Sequence, residues 1–342
     1  MKKNLRAIVV GAGSIGKRHL RNLKSLGIAR LVVCDPFKEN RSLIQEELSL
    51  TEAYEDLTQA NLQKGDIVFI CSPNHLHAQQ ALYAAEHDCD VFVEKPLAHT
   101  LEHTDKLCEL AAQKKLITLC GCNMRFYPAI KAMKTMLNEN VIGKVLSFRV
   151  TVGIYLPNWR PHLDYRKNYG AHQSQGGGAI LDMIHEIDYS RWLFGDPSEV
   201  IAAYGKVSNL EIDTEDIAEM TYLYPEKIGN IHLDYLSHRY TRMVHAIGEK
   251  GDLFWEWHKM GVEHFDAATK KQTFHPNPEN YNLNEMYLEE TKYFLDCIEN
   301  RKETFFSFFE ATRVLEIALA AKESHIQGQK VSLKNIKAHA AK

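Results

Sequence analysis

The chain has 342 residues, more than one hydrophobic core usually supports, so its length predicts two domains. Hydrophobic residues make up 45% of the sequence, charged residues 25%, and the formal net charge is −3, which excludes a strongly basic nucleic-acid-binding protein. No apolar run is long enough to span a membrane, and seven cysteines without framework spacing predict reduced thiols in a cytoplasmic protein.

The first predicted elements are a short apolar strand, Ile8–Val10, and a helix that starts near Ile15. Between them lies a glycine-rich turn, Gly11–Gly16, of the G-x-G-x-x-G type. In a strand–turn–helix context, such a turn binds the pyrophosphate of a dinucleotide at the helix N-terminus. The cofactor contacts predicted from it are Gly11, Gly13, Ser14, Ile15 and Gly16.

The second apolar strand, Leu31–Cys34, ends at Asp35, roughly twenty residues after the last glycine of the turn. A carboxylate at this place accepts hydrogen bonds from both ribose hydroxyls and repels a 2′-phosphate. Asp35 therefore predicts NAD as the cofactor rather than NADP, although Lys38 and Arg41 could soften that preference. It also disfavours the alternative, a glycine-rich turn that opens another kind of α/β domain.

Short apolar runs alternate with helical patterns up to about residue 120, which predicts a parallel sheet built from βαβ units. The predicted elements are a helix at 42–48, a strand at 66–71, a helix at 77–85, and strands at 91–93 and 116–120. Two of these strands end in polar loops, Ser72–Asn74 and Glu94–Pro96. Because parallel strands bind ligands at their carboxyl ends, these loops are expected to carry chemistry.

After about residue 123 the pattern changes to alternating segments with one solvated face, which is typical of antiparallel strands. Strands are predicted at 145–152, 200–207, 218–223 and 229–236, and helices at 179–194 and 284–299. The fold class is therefore α/β. We predict a Rossmann dinucleotide-binding domain over 1–122 and an α+β domain with a large, mostly antiparallel open sheet over 123–342.

Four motifs in this order resemble the glucose–fructose oxidoreductase/inositol dehydrogenase (Gfo/Idh/MocA) family. They begin at Gly11, Ser72, Glu94 and Gly176, and the resemblance runs from residue 7 to about 332. It implies a Rossmann domain and a second domain whose open sheet is often used in dimers or tetramers. The implied activity is NAD(P)-dependent oxidation or reduction of a sugar, a cyclitol or a sugar derivative.

Lys95, in the Glu-Lys-Pro loop, is the first catalytic candidate. In the family the matching lysine contacts the reacting hydroxyl, where an ammonium stabilises developing alkoxide charge. Glu94 could pair with it, and a cis Lys95–Pro96 bond would fit the family pattern. A solvated lysine at a strand end is the alternative. The cofactor contacts assigned to the two polar loops are Ser72, Pro73, Asn74, His77, Glu94 and Lys95.

The predicted helix at 179–194 carries the second catalytic pair, Asp182 and His185, three residues apart on one face. Histidine suits proton acceptance from an alcohol near neutral pH, and Asp182 would orient substrate hydroxyls or the histidine tautomer. The family spacing is four residues, so one is missing here and Glu186 competes for the histidine position. The other interpretation is a core-filling histidine and a dipole-pairing aspartate. No metal is expected, because Tyr189 stands where a zinc motif needs its second histidine.

The segment 155–169 is the best indicator of substrate, because it is unusually aromatic and basic for a loop. Aromatic faces suit a sugar ring, and arginine suits a carboxylate or phosphate, which allows an anionic or nucleotide-linked sugar. A subunit interface is the alternative use of these side chains. The substrate contacts predicted are Lys95, Arg125, Trp159, Arg160, Tyr165, Arg166, Asp182 and His185.

Three functions remain open on the sequence. The first is an NAD(P)-dependent dehydrogenase that moves a hydride between the nicotinamide and a hydroxyl or keto carbon of a sugar-like molecule. The others are an NAD-dependent, redox-neutral glycoside hydrolase and a non-enzymatic dinucleotide-binding sensor. The expected partners are a small-molecule substrate and a second copy of the chain, as a homodimer or homotetramer through the second domain's sheet; neither nucleic acid nor membrane is expected.

Overall fold

The computed structural model of the protein describes residues 5–161 and 163–333. The ends of the two predicted domains, residues 1–4 and 334–342, lie outside the described residues. No helix within these described ranges is long and apolar enough to cross a membrane. The seven cysteines all lie in the described ranges, and each is a free thiol.

The described chain divides into two compact units. The first unit comprises the residues up to Asn123 together with Asn282–Thr312. The second comprises Met124–Tyr281 and the residues from Arg313 onward. The segment Asn282–Thr312, which the sequence analysis assigned to the second domain, therefore belongs to the first unit.

The strands and helices are numbered here in chain order. The strands are β1 Arg6–Val10, β2 Arg30–Cys34, β3 Glu52–Tyr54, β4 Ile67–Ile70, β5 Asp90–Glu94, β6 Thr118–Gly121, β7 Val145–Gly153, β8 Glu199–Gly205, β9 Ile217–Leu223, β10 Ile228–Asp234, β11 Thr241–Gly248, β12 Gly251–Glu256, β13 Gly261–Asp266, β14 Lys271–Pro276 and β15 Val331–Ser332. The helices are α1 Ser14–Ser25, α2 Lys38–Leu48, α3 His77–Glu86, α4 Thr104–Lys114, α5 Pro128–Asn138, α6 Leu156–Trp159, α7 Ala179–Asp182, α8 Ile184–Phe194, α9 Asn284–Asn300 and α10 Phe308–Gln327.

The first unit contains a six-stranded sheet in the order β3-β2-β1-β4-β5-β6. Every pairing in it is parallel, which confirms the predicted Rossmann-type sheet. Strands β1, β4 and β5 are buried along their whole length, as is typical of the apolar run that each contains. The strand order reverses at β1, so the loops after β1 and β4 flank the topological switch point where such sheets bind ligands.

Helix α9 belongs to the first unit because it packs against α1. The Asn284 side-chain amide donates to the Asn22 side-chain oxygen at 2.9 Å. The Arg18 guanidinium lies 4.3 Å from the centre of the Tyr287 ring. The sequence pattern located this helix correctly, but the contacts that decide its unit join residues more than 250 positions apart.

The second unit contains a nine-stranded sheet in the order β14-β13-β12-β11-β7-β10-β9-β8-β15. All neighbours in it are antiparallel except β7 and β10, which run parallel, so the predicted mostly antiparallel sheet is confirmed. Alternating sequence patterns cannot show which neighbour a strand will have, and the parallel pair was therefore not predicted.

One face of the nine-stranded sheet is buried and the other is partly open. On β7, Phe148 and Val150 are buried, whereas Arg149 between them is exposed. Following the strand register across the sheet, Arg149 shares the open face with Asn230 of β10 and His245 of β11. His232, two residues from Asn230 on β10, lies on this open face as well.

His232 is held between two carboxylates of the open face. Its Nδ1 lies 2.6 Å from Glu219 Oε1, and its Nε2 lies 2.8 Å from Asp234 Oδ2. Hydrogen bonding to Asp234, and then to Glu219, raises the pKa of His232 from 6.5 to about 9. The imidazolium is therefore the form that the folded sheet stabilises near neutral pH.

This pair predicts a pH-dependent contribution to stability. Because the folded pKa is raised, the stabilisation is complete below pH 6.5 and disappears as the pH rises through about 9. We expect His232→Gln to lower stability by about 1–2 kcal/mol near pH 6, a value reduced by solvent screening, and to have little effect near pH 10. Thermal unfolding across this range measures it, with His245→Gln on β11 as the matched control. An equal loss at both ends of the range would contradict the prediction.

Candidate active site

The glycine-rich turn after β1 is built so that only two of its glycines are sterically required. Gly11 has φ +90°, and a Cβ there would lie 2.6 Å from the Cys71 carbonyl oxygen. A Cβ on Gly16 would lie 1.8 Å from the Gly11 carbonyl oxygen. A Cβ on Gly13, by contrast, meets no atom within 4 Å. The space in front of Gly13 is thus open.

Helix α1 begins at Ser14, directly behind this open space, and its N-cap, Gly13, supplies no capping side chain. The first N–H groups of an α-helix carry partial positive charge and lack intrahelical acceptors. Open space at a helix N-terminus without a capping side chain fits the pyrophosphate of a dinucleotide. The residues present at the turn therefore fit the predicted cofactor.

Asp35 lies at the end of β2 and is almost fully buried. Its Oδ2 accepts the Ala12 N–H at 2.6 Å, and its Oδ1 accepts the Phe37 N–H at 2.8 Å. The Arg41 guanidinium donates to the Asp35 main-chain carbonyl. Because each carboxylate oxygen can accept more than one hydrogen bond, this arrangement fixes Asp35 beside the turn and still permits ribose contacts.

The loop after β4 is tied to the Glu-Lys-Pro loop by His77. Its Nδ1 lies 2.7 Å from the Pro96 carbonyl oxygen, and its Nε2 lies 2.8 Å from the Ser72 carbonyl oxygen. The ring is buried, and burial lowers the pKa of His77. Ser72 Oγ donates to Gln80 Oε1 at 2.6 Å, and Asn74 is buried. The lowered pKa favours the neutral ring, which has one N–H, so His77 donates to one of these two carbonyls at a time.

The Glu-Lys-Pro loop follows directly from β5. Glu94 Oε1 lies 2.7 Å from His19 Nε2, and Glu94 Oε2 accepts the Lys95 main-chain N–H at 3.3 Å. The Lys95–Pro96 peptide bond is cis, as the sequence analysis expected. Lys95 itself is half-buried. Glu94 was predicted as a cofactor contact, and the structure shows its carboxylate bonded to protein groups.

The uninterrupted helix predicted at 179–194 is wrong. Helix α7 ends at Asp182, Met183 leaves the helical conformation with φ −97° and ψ 31°, and α8 begins at Ile184. The three-residue spacing of Asp182 and His185 therefore spans a helix break. Their relative direction cannot be derived from the period of a continuous helix.

Asp182 ends α7 with its carboxylate held by two tyrosines. Tyr169 O–H donates to Asp182 Oδ1 at 2.6 Å, and Tyr235 O–H donates to Asp182 Oδ2 at 3.1 Å. The Trp159 ring centre lies 6.2 Å from that of Tyr235. A carboxylate, two phenols and an aromatic face are therefore brought together in the second unit, with Asp182 and Tyr235 buried. Groups of these types suit contacts with a polyhydroxylated ring.

Glu186, the competing candidate for the histidine position, is fully buried in an ion pair. Arg242 Nε donates to Glu186 Oε1 at 2.6 Å, and Tyr189 O–H donates to the same oxygen at 3.1 Å. The negative charge of Glu186 in turn helps to hold the pKa of the buried Arg242 well above its usual range. His185, the preceding residue, is half-buried. The geometry thus assigns Glu186 to a structural ion pair.

Two of the arginines predicted as substrate contacts are engaged with carboxylates. Arg125 is buried and forms a bidentate pair with Asp188 at 2.6 to 3.1 Å. Arg166 lies at the surface, where its guanidinium donates to Asp164 at 2.9 Å and Glu211 at 3.0 Å. Their assignment as substrate contacts remains a prediction that the geometry of these pairs does not favour.

Tyr165 and Arg160 complete the predicted substrate set. The Tyr165 hydroxyl accepts the Glu211 main-chain N–H at 3.3 Å, so it lies in the same surface cluster as Arg166. Arg160 follows helix α6 and is half-buried.

Within residues 5–161 and 163–333, no group of three or more histidine, cysteine, aspartate or glutamate side chains could hold a metal ion.

Sequence reasoning missed the segment that fixes the Asp182 region. Asp213 Oδ1 accepts the Gln173 N–H at 2.6 Å, Thr214 Oγ1 donates to the Gly170 carbonyl at 3.1 Å, and Glu215 Oε1 accepts the Ile180 N–H at 3.2 Å. Segment 213–215 therefore holds the chain on both sides of α7's start. In the sequence, this segment is distinguished only by its acidic residues. Acidic residues alone are typical of a solvated loop, so they did not indicate contacts with α7.

Comparison with known proteins gives the following matches. Residues 5–122 match the model of an oxidoreductase family with an NAD-binding Rossmann fold, and residues 130–254 match the GFO/IDH/MocA C-terminal domain. The scyllo-inositol 2-dehydrogenase (NAD(+)) of Bacillus subtilis is 26% identical, with 97% of each chain covered. The myo-inositol 2-dehydrogenase of Thermotoga maritima is 28% identical, over 97% of this chain and 99% of the relative. The structure of levoglucosan dehydrogenase with NADH has the same fold, with TM-score 0.86, 21% identity, and 96% and 99% coverage.

The turn geometry predicts different consequences for two neighbouring glycines. Gly13→Ala should leave the melting temperature within a few degrees of the wild type, since its φ is −69° and its Cβ meets no atom within 4 Å. It should weaken NAD binding by about tenfold or more, close to 1.4 kcal/mol, by filling the space before α1. Gly16→Ala should destabilise the fold itself, because its Cβ would lie 1.8 Å from the Gly11 carbonyl oxygen.

Calorimetric titration with NAD and thermal unfolding of both variants separate these effects. Unchanged NAD affinity in Gly13→Ala would show that the pyrophosphate does not bind at this turn.

Proposed function

The chain belongs to the Gfo/Idh/MocA family of NAD-binding oxidoreductases, and we propose that it is an NAD-dependent dehydrogenase of a neutral sugar or cyclitol. The observation that carries this proposal is the Asp182 carboxylate held between the Tyr169 and Tyr235 hydroxyls. Such a group accepts hydrogen bonds from substrate hydroxyls. The two relatives named as inositol 2-dehydrogenases support the same class of substrate.

The cofactor in this proposal is NAD. When bound, it supplies the hydride acceptor for the carbon that carries the substrate hydroxyl. Gly11, Gly13, Ser14, Ile15 and Gly16 would hold its pyrophosphate through the turn and the N-terminus of α1. Asp35 would accept the ribose hydroxyls and, because it is a carboxylate, would disfavour the 2′-phosphate of NADP.

The catalytic roles are divided among three side chains. The Lys95 ammonium would stabilise the negative charge that develops on the hydroxyl oxygen as the carbon is oxidised. The His185 imidazole would accept the hydroxyl proton, since its ordinary pKa lies near neutral pH. Asp182, held in place by two tyrosines, would orient a neighbouring hydroxyl of the substrate. Glu186 has no role in proton transfer here, because its charge is paired with Arg242.

Three arginines of the second unit are already engaged with protein carboxylates. Recognition of a substrate carboxylate or phosphate needs an arginine or lysine with donors available. Arg125, Arg166 and Arg242 are each paired with at least one protein carboxylate. Among the predicted substrate contacts, the half-buried Arg160 is the arginine left to meet an acidic group, so the choice of a neutral substrate rests on the two inositol relatives.

We further propose that two copies of the chain associate through the open face of the nine-stranded sheet, in a cytoplasmic dimer or tetramer. Several large apolar side chains on that face are exposed: Ile201 at 44%, Ile228 at 51% and Phe274 at 47%. Ile201 of β8 and Ile228 of β10 lie on strands separated only by β9, and neighbouring exposed apolar side chains of this kind support an interface. The free thiols support the location.

A substrate panel tests the proposed function. We expect NADH to accumulate with at least one of myo-inositol, scyllo-inositol, levoglucosan and D-glucose. Glucuronate and N-acetylneuraminate should give kcat/KM values lower by about tenfold or more, equivalent to about 1.4 kcal/mol of transition-state binding. NADP should support less turnover than NAD.

Three results would contradict this scheme. A preference for glucuronate or N-acetylneuraminate would overturn the proposal of a neutral substrate. Cleavage of a glycoside without net NADH would indicate the redox-neutral hydrolase, and NAD binding without any turnover would indicate the sensor.

Lys95 and His185 should differ in which kinetic quantity they control. Lys95→Ala should lower kcat by about 100-fold or more while NAD affinity stays within a few-fold, because its charge acts in the transition state. His185→Ala should remove the rise of oxidation rate with pH through the imidazole range.

Glu186→Gln is the matched control for the histidine. The variant should keep the pH profile of the wild type and lose stability, because the carboxylate that neutralises the buried Arg242 is gone. If Glu186→Gln no longer shows the rise of oxidation rate with pH, the glutamate rather than His185 accepts the proton.

A further inference from the structure

A buried histidine on the cofactor-binding helix has no role in the scheme above. His19 lies on α1 with no exposed surface, and its ring packs against Phe69 at 5.4 Å and Phe92 at 4.9 Å between centroids, two rings that stack on each other. Tyr287 of α9 meets its edge at 6.4 Å. A polar ring inside an aromatic enclosure is costly unless its nitrogens are used.

One ring nitrogen of His19 is used and the other is not. Nε2 lies 2.7 Å from Glu94 Oε1. Nδ1 is buried and has no hydrogen-bond partner among the residues that the structure describes. A proton on Nδ1 would be a buried, unsatisfied donor, so we assign the neutral tautomer in which Nε2–H donates to Glu94.

Glu94 links the His19 hydrogen bond to the main chain of Lys95. Its second oxygen, Oε2, accepts the main-chain N–H of Lys95 at 3.3 Å. On the other side of Lys95, the Pro96 carbonyl oxygen lies 2.7 Å from His77 Nδ1. A buried histidine therefore lies near the main chain on each side of Lys95, with Glu94 between His19 and the Lys95 N–H.

We propose that His19 is a positioning residue, which through Glu94 fixes Lys95 relative to the helix that binds the cofactor. This rests on the proposed function, in which Lys95 stabilises charge in the transition state. Placement matters because a shift of about 1 Å in a catalytic group can cost about 100-fold in rate. Without the Nε2–H donor, the Glu94 carboxylate loses its fixed direction. The Lys95 main chain in the Glu-Lys-Pro loop then becomes more mobile.

The test compares three variants in the full-length protein. His19→Phe fits the aromatic enclosure and removes the donor, whereas His19→Gln keeps an amide N–H at the same number of bonds from Cβ as Nε2. His87→Phe is the matched control, since His87 also packs on an aromatic ring, that of Tyr83 at 4.3 Å, in the same unit. If His19→Phe does not fold, His19→Asn replaces it, because its shorter amide cannot reach Glu94.

The first readout needs neither substrate nor cofactor. Trace acetylation with acetic anhydride, followed by mass spectrometry, gives the labelling rate of Lys95 relative to the exposed Lys64. Lys95 is half-buried, so its release in His19→Phe should raise this ratio by about threefold or more, whereas His19→Gln and His87→Phe should stay within about twofold of the wild type. The second readout is kinetic: kcat should fall in His19→Phe and recover in His19→Gln, with KM for NAD unchanged.

Each outcome decides the proposal. A lower melting temperature with unchanged Lys95 labelling in His19→Phe would show that His19 serves packing alone, and would overturn it. The same labelling change in His19→Gln as in His19→Phe would also overturn it, since the hydrogen bond would then be irrelevant. If labelling responds as expected but the wild type turns over no substrate, the positioning role stands and the proposed function fails.

Discussion

A carboxylate removed from water must find a partner inside the protein, and in this molecule that constraint decides which polar groups remain available for chemistry. The free energy of leaving such a charge unpaired is several kcal/mol, a large share of the total stability of a domain. Glu186 and Asp188, both fully buried, each form an ion pair with an arginine. Two carboxylates of a kind that can serve in active sites thus form structural ion pairs in the interior of the second unit.

The same constraint acts differently on Asp35 and Asp182, the two carboxylates to which the proposed function assigns ligand contacts. Asp35 and Asp182 accept neutral donors, namely main-chain N–H groups in one case and two phenols in the other. A neutral donor fixes the direction of the carboxylate without cancelling its charge. In the proposed function, these donors direct Asp35 toward the ribose hydroxyls and Asp182 toward the substrate hydroxyls.

Local sequence patterns predicted the elements whose structure depends on one stretch of chain. They did not predict contacts between residues far apart in sequence, nor a strand without an apolar pattern. The buried strand β4, Ile67–Ile70, was located because a continuous apolar run with a polar end has few other interpretations. Strand β14, Lys271–Pro276, was missed because most of its residues are exposed and carry no apolar alternation. The partners of Arg125 and Glu186 lie more than 50 residues away, so spacing could not reveal them. The glycine turn and Asp35 were predicted because their geometry is set by the strands that precede them.

The break at Met183 explains how a shortened spacing can coexist with an intact Asp182 environment. In a continuous helix, removing one residue between Asp182 and His185 would rotate one of them by about 100°. Here α7 is anchored separately from α8, because the Ala179 N–H donates to the Glu215 main-chain carbonyl and the Ile180 N–H donates to the Glu215 side chain. Glu215 therefore holds α7 in addition to its connection to α8. Asp182 is held by Tyr169 and Tyr235, and these two hydrogen bonds do not require a continuous helix through Met183.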